Sequence, residues 1–449
     1  MGANLEQLFN SSFLKKFHQR YPVFLYLLKW ICITLVIGLL AGAASAIFLW
    51  ALHWATDWRE THLWIIAFLP IGGGIVGLLY HFYGKDVEAG NNLIIDQIHS
   101  PRKIIKFRMA PMVLFGTVMT HLFGGSAGRE GTAIQMGASI SDQFTKWLRL
   151  NKEDRRTVLI VGMAAGFGSV FGTPLAGAIF GMEVFSMGKM KYNSIIPAFL
   201  GATFGDFFCR LISHDYLYIS HSVYHIAGDP HHEIPLVHIG YAIIAGIFFG
   251  FAGRLFAKFT HTWGTFLKKQ IKFPPLRPVV GGVIVALAVA ALYFGVNPDI
   301  GTRYIGLGLP TIKAAFTQEL APYDWLGKLI FTGITLGAAY KGGEVTPLFF
   351  IGATLGNALS AFIPLPIDLL AGMGFVAVFA GAANTPLACA AMGIELFGAN
   401  YGVYIAIACV ISFVFSGHAG IYSSQIIGIS KHKLYKHHEG KSLGDVDKE

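Results

Sequence analysis

The chain repeats itself, and that repeat limits the folds open to it more than any other feature. Thr173-Pro174-Leu175-Ala176 returns as Thr385-Pro386-Leu387-Ala388, and Gly181, Glu183 and Phe185 return as Gly393, Glu395 and Phe397, all at an offset of 212 residues. A second block pairs Gly128-Arg129-Glu130-Gly131 with Gly343-Glu344-Val345-Thr346, and Gly137-Ala138-Ser139-Ile140 with Gly352-Ala353-Thr354-Leu355, at an offset of 215. Ordered blocks that carry proline and glutamate are improbable as chance likeness between Ala/Gly-rich segments. Two related halves with glycine-rich interruptions at matched positions point to a binding site where the halves meet. The repeat leaves open whether the halves run parallel or inverted.

Composition then says what solvent those halves fold in. Of 449 residues, 54% are hydrophobic and only 13% charged, so the chain reads as an all-α, polytopic membrane protein rather than a soluble one. Its 54 glycines fit, because small residues let membrane helices approach closely and break where a site is needed. The net charge of +9 is concentrated towards the two ends, which implies cytoplasmic termini against anionic lipid and no nucleic-acid partner. Cys32, Cys209, Cys389 and Cys409 are scattered without CxxC spacing, so neither disulfides, metal nor cofactor is expected. Lys15, Lys16, His18 and Arg20 precede the first span without a cleavable small-residue site, so no signal peptide is expected.

The same reading divides the chain. Residues 1–22 form a cytoplasmic surface helix with Leu5, Leu8, Phe9, Phe13 and Phe17 on one side. Residues 23–213 are the first membrane repeat, in which Pro70 and Gly72-Gly73-Gly74 predict a tilted or broken second span. Residues 214–235 are a polar, histidine-rich connection read as an exposed loop, 236–430 the second repeat, and 431–449 a short basic cytoplasmic tail. Lys152 to Arg156 reads as a solvated turn.

Chemistry concentrates at Gly124 to Ile140, where a glycine cluster opens a helix whose first turn carries Arg129 and Glu130 between two apolar segments. A carboxylate at membrane depth costs about 2.5–3.5 kcal/mol or more unless it is paired or faces water, so Glu130 is a functional residue by default. The glycines and the positive helix start attract anions, and the carboxylate is itself an anion able to take that place. Gly-Arg-Glu-Gly resembles the motif of the CLC family of anion channels and proton-coupled anion transporters. Thr132 follows where most of that family has proline, a departure similar to the fluoride-exporting branch.

Four further stretches carry the resemblance. Glu88-Ala89-Gly90-Asn91-Asn92 begins a half-helix and puts Asn92 at the family's anion-facing serine, although asparagine is also a common N-cap. Gly342 to Pro347 stands at the family's Gly-x-Phe-x-Pro element, with Val345 at the phenylalanine and Thr346 after it. Glu344 there resembles the fluoride exchangers, and a dipole-stabilised helix-start carboxylate is the competing explanation. Tyr422 matches the family's anion-coordinating tyrosine. Pro174 to Phe185 also resembles the family, but Val184 replaces the second of two adjacent glutamates, which removes the proton relay known from the chloride/proton exchangers.

The resemblance implies antiparallel halves in a homodimer with one pore per subunit, lying in the cell inner membrane. It implies no enzyme but a transporter exporting fluoride in exchange for protons. Glu130 and Glu344 would gate and couple protons, while Asn92, Gly128, Arg129, Gly131, Val345, Thr346 and Tyr422 would frame the anion. The alternatives are a CLC-type chloride/anion channel or chloride/proton exchanger and, remotely, an intramembrane serine hydrolase using Ser126 with His121 or His418.

Overall fold

The computed structural model describes residues 21–217, Tyr224, Ile226 and 235–446. The expected surface helix over 1–22 therefore lies almost wholly outside the described residues, as do His221, His225, His231 and His232. The first half runs α1 (Pro22–Thr61), a 3-10 turn at Leu63–Phe68, α2 (Leu69–Tyr83), α3 (Asn91–His99), α4 (Met109–Leu122), α5 (Glu130–Trp147), α6 (Lys152–Phe171), α7 (Pro174–Glu183) and α8 (Ile195–Leu217). The second runs α9 (Leu236–Gln270), α10 (Leu276–Gly295), α11 (Pro298–Arg303), α12 (Leu309–Ala314), α13 (Asp324–Gly337), α14 (Val345–Leu359), α15 (Ile367–Ala383), α16 (Pro386–Phe397) and α17 (Gly402–Phe415). With α11 set aside, the two series match element for element: α5 packs on α6 as α14 packs on α15, and α1 on α8 as α9 on α17.

Two reciprocal contacts fix how the halves are related. Glu183, at the C-terminal end of α7, accepts hydrogen bonds from Leu387 N–H (3.1 Å) and Ala388 N–H (2.8 Å) at the start of α16. Glu395, near the end of α16, accepts from Leu175 N–H (2.9 Å) and Ala176 N–H (2.8 Å) at the start of α7. Each helix start has otherwise unsatisfied N–H groups and a positive dipole end, so each carboxylate caps its partner. Head-to-tail exchange is possible only between antiparallel helices. Gly128 and Gly343, which are equivalent positions of the repeat, form an antiparallel bridge with N···O distances of 2.6 and 2.8 Å. The halves are inverted about an axis passing close to this bridge.

Between them lies an aromatic core to which both halves contribute. Phe167 stacks on Phe180 (4.5 Å) and Phe349 on Phe375 (4.0 Å), with Phe379 within 6.3 Å of Phe167. Among the described residues, five helical segments of 20 to 40 residues are long and apolar enough to cross a membrane, so the protein is multi-pass.

Three local expectations need correction. The chain breaks at the 3-10 turn before Pro70, while α2 runs unbroken through Gly72-Gly73-Gly74. Those glycines serve close approach: a Cβ on Gly73 would lie 2.3 Å from the Tyr340 hydroxyl, which donates to Leu69 O. The Lys152–Arg156 stretch is the first turn of α6, capped by Asn151, and Arg155 is buried in a fork on Asp142 (2.8 Å to each oxygen). The connection between the halves touches the core where it is described, since Tyr224 is buried against Phe316 and Phe375.

Candidate functional site

Helices α3, α5 and α14 all start inside the protein, and the segment after α17 comes in to join them. Glu130 is the first residue of α5 and is 0% exposed. Its carboxylate reaches across to the start of α14, where Thr346 N–H donates at 3.0 Å and the Thr346 hydroxyl lies 2.6 Å from both carboxylate oxygens. Arg129 N–H adds a bond at 3.1 Å, and Arg129 Nε stands 3.5 Å from the carboxylate. The anionic group thus sits on the positive end of the opposite half's helix.

Other named residues surround this seat. Val345 is the first residue of α14 and fully buried. Glu344 is the N-cap of α14 and makes no side-chain capping bond. It is half-buried and faces α5, since a Cβ on Gly131 would lie 3.8 Å from its carboxylate and 3.1 Å from Gly343 Cα. Gly131 lets the two half-helices meet closely, since a Cβ there would require Gly343 to give way by a few tenths of an ångström. The Tyr422 hydroxyl is buried with no hydrogen-bond partner among the described residues. Thr132 bonds Thr117 of α4 through its hydroxyl (2.6 Å), tying the first turn of α5 in place where a proline has no such group.

Two placements differ from expectation. Gly128 gives its N–H to Gly343 O in the bridge, so it joins the halves and has no donor left for an anion. Asn92 accepts from Ser424 N–H at 3.0 Å, which leaves only its amide N–H₂ to offer. Its neighbour Asn91 is the more deeply buried: Nδ2 lies 3.2 Å from where a Gly131 Cβ would be, and Oδ1 has no partner among the described residues. The sequence signal for Asn91 was present, because either asparagine fits the same small-residue approach.

Two cations behind the Gly124–Arg129 loop were also missed. Lys328 is fully buried and donates to Tyr304 O (3.1 Å) and Gly306 O (2.7 Å), and Arg59 donates to His121 O (3.1 Å). A lysine within the apolar run of α13 was the clue. The hydrolase pairing does not form. The Ser126 hydroxyl donates to Tyr304 O (2.7 Å), both His121 ring nitrogens face backbone carbonyls, and His418 contacts His438.

Inverted repeats, broken helices meeting at a buried site and a carboxylate seated on an opposing helix start define a polytopic membrane transport protein. The sequence profile described as "Voltage gated chloride channel" matches residues 72–417, and the chain belongs to that family, the CLC proteins. The "Chloride/fluoride channel protein" of Pseudomonas syringae pv. tomato (strain ATCC BAA-871 / DC3000) is 52% identical over 409 residues, 91% of this chain and 88% of its own. An "H(+)/Cl(-) exchange transporter ClcA" of Vibrio cholerae serotype O1 is 24% identical, over 88% of this chain and 86% of its own. The crystal structure of a CLC-type fluoride/proton antiporter matches with a TM-score of 0.83 at 35% identity, covering 89% of this chain and 98% of that one. A slow cyanobacterial Cl-/H+ antiporter matches with a TM-score of 0.74 at 19% identity, a likeness of fold.

Proposed function

We propose that this protein exports fluoride in exchange for protons, as a homodimer with one pore per subunit in the cell inner membrane and both termini cytoplasmic. The observation that carries the reading is the Glu130 carboxylate held by Thr346 N–H and Oγ–H at the start of α14. A carboxylate that occupies an anion seat leaves it when protonated, because neutralisation weakens charge-assisted bonds about twofold. A free anion then takes the seat while Glu130 carries the proton, so the two fluxes are linked.

Fluoride fits the donors that converge here. It is small and tightly hydrated, and only compact donors at close range replace its water: the Thr346 hydroxyl and N–H, the Val345 and Gly131 N–H groups, the Tyr422 hydroxyl and the asparagine amides. Tyr422 bears most directly on this, since a buried hydroxyl without a partner among the described residues costs about 1–3 kcal/mol and an anion relieves it. Support also comes from the 52%-identical relative named for chloride and fluoride and the 35%-identical fluoride/proton antiporter. Efflux from liposomes loaded with fluoride or chloride tests the substrate. Fluoride should leave far faster, and equal efflux of both anions would overturn the assignment.

A passive channel is the second reading, favoured by the word channel in that relative's name and by Val184, which is fully buried where a proton-relaying glutamate would stand. Glu344, half-buried beside Gly131, is the acidic group we assign to the inner proton step in its place.

A further inference from the structure

We propose that residues 440–446, in the basic tail, are a clasp that fixes the position of Tyr422 and Ser424, with Leu443 as the positioning residue; the effect on transport rests on the function proposed above. The segment after α17 that carries Tyr422 has no helix of its own to hold it. It is held instead by two short strands. On one side Ser186–Met187, directly after α7 of the first half, pairs in parallel with Ile426–Ile427. On the other the tail lies antiparallel to it, bridging Ile426 and Ser442.

The tail's bonds run from Ser423 to Ile427 of that segment. Gly440 N–H donates to Ile427 O (2.8 Å), Ile427 N–H to Lys441 O (3.0 Å), Leu443 N–H to Gln425 O (2.9 Å) and Gly444 N–H to Ser423 O (2.8 Å). Ser424, next in line, is the residue whose N–H holds Asn92. The Leu443 side chain is fully buried in a small cluster with Met187 and Ile427, and its Cδ1 would lie 2.8 Å from a Cβ on Gly420. Lys431 stitches the tail a second time, donating to Asn384 Oδ1 (2.5 Å) and Ser416 Oγ (2.9 Å). A two-stranded ribbon is marginal by itself, so the middle strand depends on the tail for the bonds along one of its edges and on Leu443 for its apolar anchor. The tail therefore acts on the anion site through Ser423 to Gln425, without touching an anion.

The test uses the full-length protein in liposomes, with Ser424→Cys as reporter in a Cys32→Ser background, since the other three cysteines are buried. Leu443→Ala should raise labelling of residue 424 by a membrane-impermeant maleimide on the order of tenfold or more, the local opening expected on truncating a buried anchor. It should also raise fluoride moved per proton. Leu443→Met should restore both readouts, and Leu434→Ala, a tail leucine that is 75% exposed, should change neither. The milder Leu443→Val keeps the question open to test if the alanine variant fails to fold. Unchanged labelling and an unchanged flux ratio in folded Leu443 variants would overturn the clasp. If the wild type moves no fluoride, the transport reading falls, and the labelling result alone decides the clasp.

Discussion

Glu130→Gln changes little but charge. The carboxylate accepts three bonds, from Thr346 N–H at 3.0 Å, the Thr346 hydroxyl at 2.6 Å and Arg129 N–H at 3.1 Å. A hydrogen bond to a charged group contributes about 1.5–3 kcal/mol and a neutral one about 0.5–1.5, so three bonds lose roughly 3 kcal/mol on neutralisation. That corresponds to on the order of 100-fold weaker retention at the start of α14. The amide keeps the shape and cannot carry a proton. In liposomes with a fluoride gradient, a trapped pH dye should show proton flux falling to background while a fluoride electrode still records efflux. Proton flux at the wild-type rate in Glu130→Gln would refute the assignment of Glu130 as proton carrier.

Other substitutions separate the remaining roles. Glu344→Gln should slow proton movement more than Val184→Ala does, and equal proton fluxes in the two variants would leave Glu344 as a helix-start residue. Asn92→Ser should raise chloride efflux relative to fluoride, because an amide donor becomes a hydroxyl; an unchanged ratio would move selectivity to Asn91. Glu183→Ala leaves two N–H groups at the start of α16 uncapped, for about 2–6 kcal/mol at 1–3 per orphaned group. Thermal unfolding of the purified protein should therefore shift down with the fluoride-to-proton ratio intact, and a changed ratio at unchanged stability would contradict a purely capping role.

The repeat was legible because inverted halves still carry the same half-helix starts in the same order, and Gly128 and Gly343 fell at equivalent positions before their bridge was seen. Inversion itself is not legible, since orientation leaves no trace in spacing and becomes evident only in tertiary contacts, the exchange between Glu183 and Glu395 and the Gly128–Gly343 bridge. Those two glutamates illustrate a wider limit. Sequence marks a buried carboxylate as costly but does not say which helix start satisfies it. Glu130 and Thr346 lie 216 residues apart, and each was singled out alone, while their bond is tertiary. Arg155 reads as solvated in sequence because its partner Asp142 sits on the preceding helix, in a stretch marked mainly by small residues. The tail looked like a plain basic extension, as a single buried leucine among charges gives no periodic signal.

Proton coupling itself is tested most directly by the reversal potential. With a fixed fluoride gradient across liposomes holding the purified protein, the voltage of zero current is measured at two different pH gradients. For an exchanger driven through Glu130, that voltage should shift with the pH gradient and the shift should vanish in Glu130→Gln. A wild-type reversal potential set by fluoride alone, the same at both pH gradients, would contradict exchange and leave a fluoride channel.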